Sequence, residues 1–173
     1  MADVSRSTDY FLNASTGALK DNSSGAITAQ VARDLAVASY QPQMVNPGGR
    51  LTLTTAVPVT VTDVTGATSV FYTPFLHNCI GVYDGTSWKL YTFSELTLAL
   101  GTLTSGAIYD VFLYDVAGTL TLILGPAWAT ATTRGTGAGT TELILQDGVW
   151  VNKVSITSGP GAKAGRYLGT LKT

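Results

Sequence analysis

The sequence predicts a mainly β protein: an antiparallel β-sandwich or barrel knob with a short N-terminal helix and an extended arm. Three observations predict it. The hydrophobic period changes from helical to two just after Gly48-Gly49. Short apolar runs then recur, separated by Asp-Gly and related turn signals. Charged residues make up only 12% of the 173, against a usual ~25%. Their place is taken by Thr, Ser, Ala and Gly, which suits strands and turns with neutral surfaces.

The elements follow in chain order, with a division at about residue 48. Residues 1–47 read as an arm. Residues 13–26 are polar and turn-forming, with little to bury. Ile27, Val31, Leu35 and Ala38 then recur at helical spacing, which predicts a helix over about 28–39 with Thr28 as its N-cap. A lone helix of ~12 residues is marginal in water, so the stripe Ile27, Val31 and Leu35 must pack on another surface. Gln41 to Gly49 contains Pro42, Pro47 and Gly48-Gly49 and cannot continue the helix. Extended, it reaches about 28 Å at ~3.1 Å per residue.

Residues 48–173 read as one antiparallel β domain. Leu51 to Thr54 and Val57 to Thr62 alternate, the second with Pro58 suggesting an edge or a strand start. Val70 to Thr73 follows. Cys79 to Tyr83 and Trp88 to Phe93 flank Asp84-Gly85, a hairpin signal. Ser94 to Leu98 suits a strand or a short turn. Tyr109 to Tyr114 and Leu120 to Leu124 flank a turn at Ala117-Gly118, and Glu142 to Leu145 and Val149 to Val154 flank Asp147-Gly148. Tyr167 to Leu171 reads as a closing strand. Between the last two hairpins, Gly125 to Thr141 is a long Gly-, Thr- and Ala-rich loop. Such loops are usually functional or packed against another subunit.

The residues that carry chemistry are few. His77 and Cys79 are the chain's one His and one Cys, and on a strand they would share a face. They would suit a nucleophile with its base, or half a metal site, but the spacing is awkward for catalysis. A buried Cys beginning a strand after a loop His is the expectation. Asp84, Glu95, Asp110, Asp115 and Asp147 are the β-domain carboxylates weighed as a glycosidase pair. Three of them sit in or beside turns, where Asp serves local hydrogen bonds, so structural roles are expected. Trp88, Trp128, Trp150 and Tyr72, Tyr83, Tyr91, Tyr109 and Tyr114 invite a carbohydrate-stacking reading, but aromatics on strands are expected to pack in the core or as cross-strand pairs. Trp128 is the exception, because it shares the long loop with Arg134; the two are the candidates for a ligand or subunit contact there. The run Arg134 to Gly139 lacks the Lys-Ser/Thr ending and following helix of a phosphate loop. No catalytic residue, cofactor or metal is expected.

Ten basic against eleven acidic residues argue against a nucleic-acid partner. The N-terminus, Met1 to Arg6, is followed by no apolar core of a secretory signal. The longest uncharged run, between Asp115 and Arg134, is broken by Gly118, Gly125 and Pro126, so no membrane insertion is expected.

Two sets of residues carry a resemblance. Ser24 to Gln30 with Arg33-Asp34-Leu35 resembles a segment near the N-termini of many tailed-bacteriophage fibre and spike proteins. Gly49 to Leu53, Tyr72-Thr73-Pro74, Tyr83 to Trp88, Phe93 to Leu96, Tyr109 to Phe112, Gly125 to Trp128, Arg134 to Leu143, Gly148 to Asn152 and Gly165 to Thr170 resemble a widespread phage virion domain. The resemblance spans roughly residues 20–173. It implies a virion structural protein, made in the host cytoplasm and located in the virion: a fibre, spike or collar appendage with a docking arm and an outward β knob. Its expected partners are itself, as a homo-oligomer and first of all a trimer, and other virion proteins of capsid, neck or tail. Ile27, Val31 and Leu35 are then the expected oligomer or virion contact. The alternative functions are an adhesin for a host-surface glycan or protein, and a capsid decoration protein; an enzyme is not expected.

Overall fold

The computed structural model describes residues 28, 30–36 and 46–173. The chain forms two compact units, Met1–Gln43 and Met44–Thr173.

In the first unit residues 30–36 form a helix, α1. Thr28 caps it: its Oγ1 accepts the Val31 N–H at 3.2 Å, and its carbonyl accepts the Ala32 N–H at 3.1 Å. Gln30 Nε2 donates to Asp34 Oδ1 at 2.8 Å, one turn along. Val31 and Leu35 are half-buried and Asp34 is buried. Ile27 and residues 37–45 lie outside the described residues, and with them one end of the expected stripe.

The described residues of the second unit form ten strands: β1 (Gly49–Thr52), β2 (Ser69–Pro74), β3 (Cys79–Tyr83), β4 (Trp88–Thr92), β5 (Leu96–Ala99), β6 (Ile108–Val116), β7 (Thr119–Ala127), β8 (Leu143–Gln146), β9 (Val149–Asn152) and β10 (Arg166–Lys172). They build three antiparallel sheets, ordered β1-β2-β5, β7-β6-β10-β9-β8, and the hairpin β3-β4. The sheets are open, so of the two expected architectures the closed barrel is corrected. The hydrogen-bond ladder breaks between sheets instead of running round continuously.

One core joins the three sheets. Tyr72, Ile80, Val82, Phe93, Val111, Leu113 and Leu122 meet there. Ile80, Val111 and Leu113 are fully buried, each contributing roughly 1.5–3 kcal/mol. The Tyr72 and Phe93 rings stack at 5.0 Å. Gly49 lies under this pair, where an added Cβ would come within 2.6 Å of the Tyr72 ring. Burial raises the Tyr72 hydroxyl above its ordinary pKa, and that oxygen accepts the Gly49 N–H at 3.1 Å. Arg166 also enters the interior, where desolvation lowers its pKa to about 10 and its Nη1 donates to Gly81 O at 2.7 Å. That bond ties β10 to the β3–β4 hairpin.

All three expected hairpins form. Val116 faces Thr119 across Ala117-Gly118, and Gln146 faces Val149 across Asp147-Gly148. All four turn residues have positive φ, between 50° and 91°, as the tight type I′ turn requires. The third turn is longer: Tyr83 faces Trp88, and Asp84 Oδ1 accepts the N–H groups of Thr86 and Ser87 at 2.8 and 2.7 Å. Leu96–Ala99 resolves as a strand, and β10 is an inner strand between β6 and β9.

The alternating run Val57 to Thr62 is not a strand. It lies in loop 53–68 with its valines exposed, Val61 by 92%. The chain turns away from β2 first. Ala56 has φ of 59°, Val57 N–H reaches Thr54 O at 3.3 Å, and Glu95 holds Thr55 and Ala56. Alternation without a neighbouring ladder does not make a strand.

Candidate functional site

The long loop lies over the outer face of the five-stranded sheet. On β6, Val111 and Leu113 enter the core. By the period of two, Asp110 and Phe112 face the opposite way, yet both are fully buried. Loop 128–142 accounts for this. Arg134 donates from Nε to Asp110 Oδ2 at 2.7 Å. At the end of the loop Thr141 packs on β7, where a Cβ on Gly125 would sit 2.3 Å from its Cγ2 and 3.0 Å from Phe112.

A bulge completes the anchor. The β6–β10 register shifts between Tyr167 and Gly169. Tyr167 and Thr170, three apart, therefore stand on one face, opposite Phe112 and Asp110. Thr170 Oγ1 donates to Asp110 Oδ1 at 2.6 Å. The Tyr167 hydroxyl bonds Thr170 Oγ1 at 2.8 Å, and its ring meets Phe112 edge-on at 6.1 Å. The Arg134 guanidinium lies 4.2 Å over the Trp128 ring and 5.6 Å from that of Tyr167. Two aromatic faces and a buried carboxylate thus fix this cation. Trp128 Nε1 and Thr141 Oγ1 are buried without a hydrogen-bond partner.

Beside this anchor opens a cleft of about 670 Å³, lined by Thr133, Arg134, Thr136, Glu142, Trp150 and Tyr167 among others. Small-molecule sites run to about 300–1,000 Å³. Trp150 comes from β9. Val151 pairs with Arg166 on β10, which sets Trp150 and Tyr167 side by side on the outer face. Trp150 is 48% exposed. Glu142 borders the loop, accepting from Lys153 Nζ at 2.6 Å and from Gly137 N at 2.9 Å. These two donors, Lys153 foremost, hold its pKa below the ordinary value.

Of the two loop residues expected at a ligand or subunit contact, Arg134 lines the cleft, while Trp128 does not line it and stacks on the Arg134 guanidinium instead. Glu142 and Tyr167 were not singled out by their local sequence, while Asp110 was weighed only as one of five carboxylates and Trp150 only among the strand aromatics expected to pack. The one available signal was a long loop whose two flanking hairpins each contain a Trp or Tyr-rich strand. Val31 and Leu35 are one turn apart on α1, both half-buried.

The weighed carboxylates are all engaged by donors, local ones at Asp84 and Asp115, distant ones at Glu95 and Asp110, and one of each at Asp147. Asp84 binds its own turn and Lys89, which together depress its pKa. Asp115 Oδ1 accepts the Gly118 N–H at 2.8 Å. Asp147 Oδ2 accepts from Gln146 and from Trp88 Nε1 at 3.0 and 2.9 Å, and both lower its pKa. Glu95 accepts from Thr55, Thr73 and Ala56. Cys79 begins β3 half-buried instead of buried, and its N–H donates to His77 Nδ1 at 3.1 Å. His77 packs against Gly48, where a Cβ would meet the His77 Nδ1 at 2.3 Å. Among the described residues no group of three His, Cys, Asp or Glu is placed to hold a metal ion, and no helix is long and apolar enough to cross a membrane. No protein-family model matches the chain, and neither a curated protein nor a solved structure does.

Proposed function

We propose that the chain is a structural protein of a tailed-bacteriophage virion: a fibre, spike or collar appendage, docked through its N-terminal arm and projecting its β domain as a knob. The motifs that resemble phage virion proteins motivate the assignment. The observation that carries it is the neutral, partly apolar surface of the β domain. Val57, Val59 and Val61 stand exposed in a run with strand-like alternation, and Phe75 and Leu76 are exposed as well. With few charges to keep copies apart, such a surface suits a subunit built for assembly, as a trimer in the first instance. The test is incorporation. Leu35→Asp puts a charge on the half-buried stripe of α1, and a charge in an apolar contact is costly. The variant should keep its β domain yet be missing from purified particles, read as copy number against wild type. Equal copy number defeats docking through α1, and absence of the wild-type chain from particles defeats the virion assignment. Light scattering on the full chain tests the trimer.

A second reading has its own support. The cleft beside loop 128–142 exposes Trp150 next to polar side chains. That favours a knob which is itself an adhesin for a host-surface glycan or protein. Binding of the purified chain to host cells separates the two.

A further inference from the structure

We propose that the cleft between loop 128–142 and the outer face of the five-stranded sheet binds a neutral hexopyranose, with Trp150 as its stacking platform. The biological source of that sugar rests on the adhesin reading; the site itself does not.

The ligand class follows from three features. First, Trp150 offers a half-exposed indole face in a concave setting. A lone exposed Trp on a convex surface is unremarkable, but here Trp150 lines a cleft together with polar side chains. The C–H face of a pyranose carries partial positive charge and lies well on the electron-rich face of an indole. Second, beside Trp150, Leu143 and the Gly135 backbone, the lining carries several hydrogen-bonding side chains. Thr133 and Thr136 bring hydroxyls, Glu142 a carboxylate, and Arg134 the nitrogen Nη1, since Nε and Nη2 are directed to Asp110. Sugar hydroxyls both donate and accept, so they match a mixed set of this kind.

Third, the charges balance. Arg134 and Glu142 are the charged residues of the lining. Arg134 is paired with the buried Asp110, and Glu142 with Lys153 at 2.6 Å. An acidic sugar or a phosphate would find its cation already neutralised, and would also approach the Glu142 carboxylate. A neutral ring faces neither penalty. Preorganisation adds to this. Arg134 is held by a carboxylate and two rings before any ligand arrives, so little side-chain freedom is lost on binding.

The experiment uses the full chain and saturation-transfer NMR with titration. The neutral probes are methyl glycosides of glucose, galactose, mannose, N-acetylglucosamine and rhamnose. The anionic probes are N-acetylneuraminic acid, glucuronic acid and inorganic phosphate. At least one neutral glycoside should bind with a Kd of about 1–10 mM. Trp150→Ala should weaken it by about tenfold or more, and Trp150→Phe should recover part of the loss, with melting unchanged in both. Three results overturn the site: no neutral glycoside binds, an anionic probe binds more tightly, or Trp150→Ala binds as wild type does. A parallel cell-binding assay separates this from the adhesin reading. Glycoside binding that depends on Trp150 without any cell binding overturns the adhesin and supports the site. Cell binding unaffected by Trp150→Ala, with no glycoside bound, overturns the site and supports the adhesin.

Discussion

Loop 53–68 and loop 128–142 are both long connections in the same domain, and each is tied down by a distant carboxylate. They differ in where that carboxylate stands. Glu95 lies at the domain surface and holds only the start of its loop, at Thr55 and Ala56. Beyond that point the valines face solvent. Asp110 is fully buried near the start of the inner strand β6, and Arg134 reaches it from the middle of the other loop. By composition the first loop is the more apolar, yet the Gly- and Thr-rich loop is the one that covers the sheet. Anchoring follows the position of the partner and not the hydrophobicity of the segment.

Breaking the buried anchor should have the largest effect. Asp110→Ala leaves Arg134 and Thr170 without their acceptor, and denaturant unfolding should show a loss of about 3 kcal/mol, near the low end for a broken buried pair because Arg134 is partly exposed. The same loop can be lifted from its other end. Gly125→Ala drives a methyl into Thr141 and Phe112, at a cost of about 1–3 kcal/mol for overpacking, and should expose Trp128 to a fluorescence quencher.

Glu95→Gln should cost less, under about 2 kcal/mol, because its donors are neutral groups and the Gln side chain keeps one acceptor oxygen, and it also sharpens the comparison through pH. The Thr55 and Thr73 hydroxyls foremost, with the Ala56 N–H, hold Glu95 below its usual value of 4.5. The unfolded chain therefore takes up this proton first as the pH falls. The Glu95 contribution is complete above pH 4.5 and is lost as the pH drops through the lower folded value. Wild type should lose more stability than Glu95→Gln between neutral pH and pH 3 or so. The smallest effect belongs to the exposed valines. Val61→Ser should leave the melting transition within about 0.5 kcal/mol of wild type, and should weaken self-association if that loop is a subunit contact.

The same contrast shows what could be read from the chain. Ala117-Gly118 and Asp147-Gly148 announced their hairpins because a two-residue turn with positive φ is a local demand on local residues. Val57 to Thr62 misled for the opposite reason. Its period describes side chains only, and a strand also needs a neighbour with open backbone groups. At the site, Trp128 and Arg134 were legible as a pair because they share a loop. Their setting was not. Asp110 lies 24 residues before Arg134, Trp150 and Tyr167 arrive on β9 and β10 later in the chain, and the bulge that aligns Tyr167 with Thr170 is marked only by Gly169 inside the strand pattern.

The place of β10 bears on how the polypeptide emerges from the ribosome. It is the latest-made of the strands and fits between two hairpins finished before it. At about 5–20 residues per second, roughly one to four seconds separate Asn152 from Lys172. During that interval β6 and β9 each present an unpaired edge, with only the turn-closed hairpins to steady them. Unpaired edges of this kind recruit strands from neighbouring chains. The hazard grows with the concentration of nascent chains, so slower translation across residues 153–172, or a chaperone that shields strand edges, should raise the soluble yield more than any substitution in the finished core.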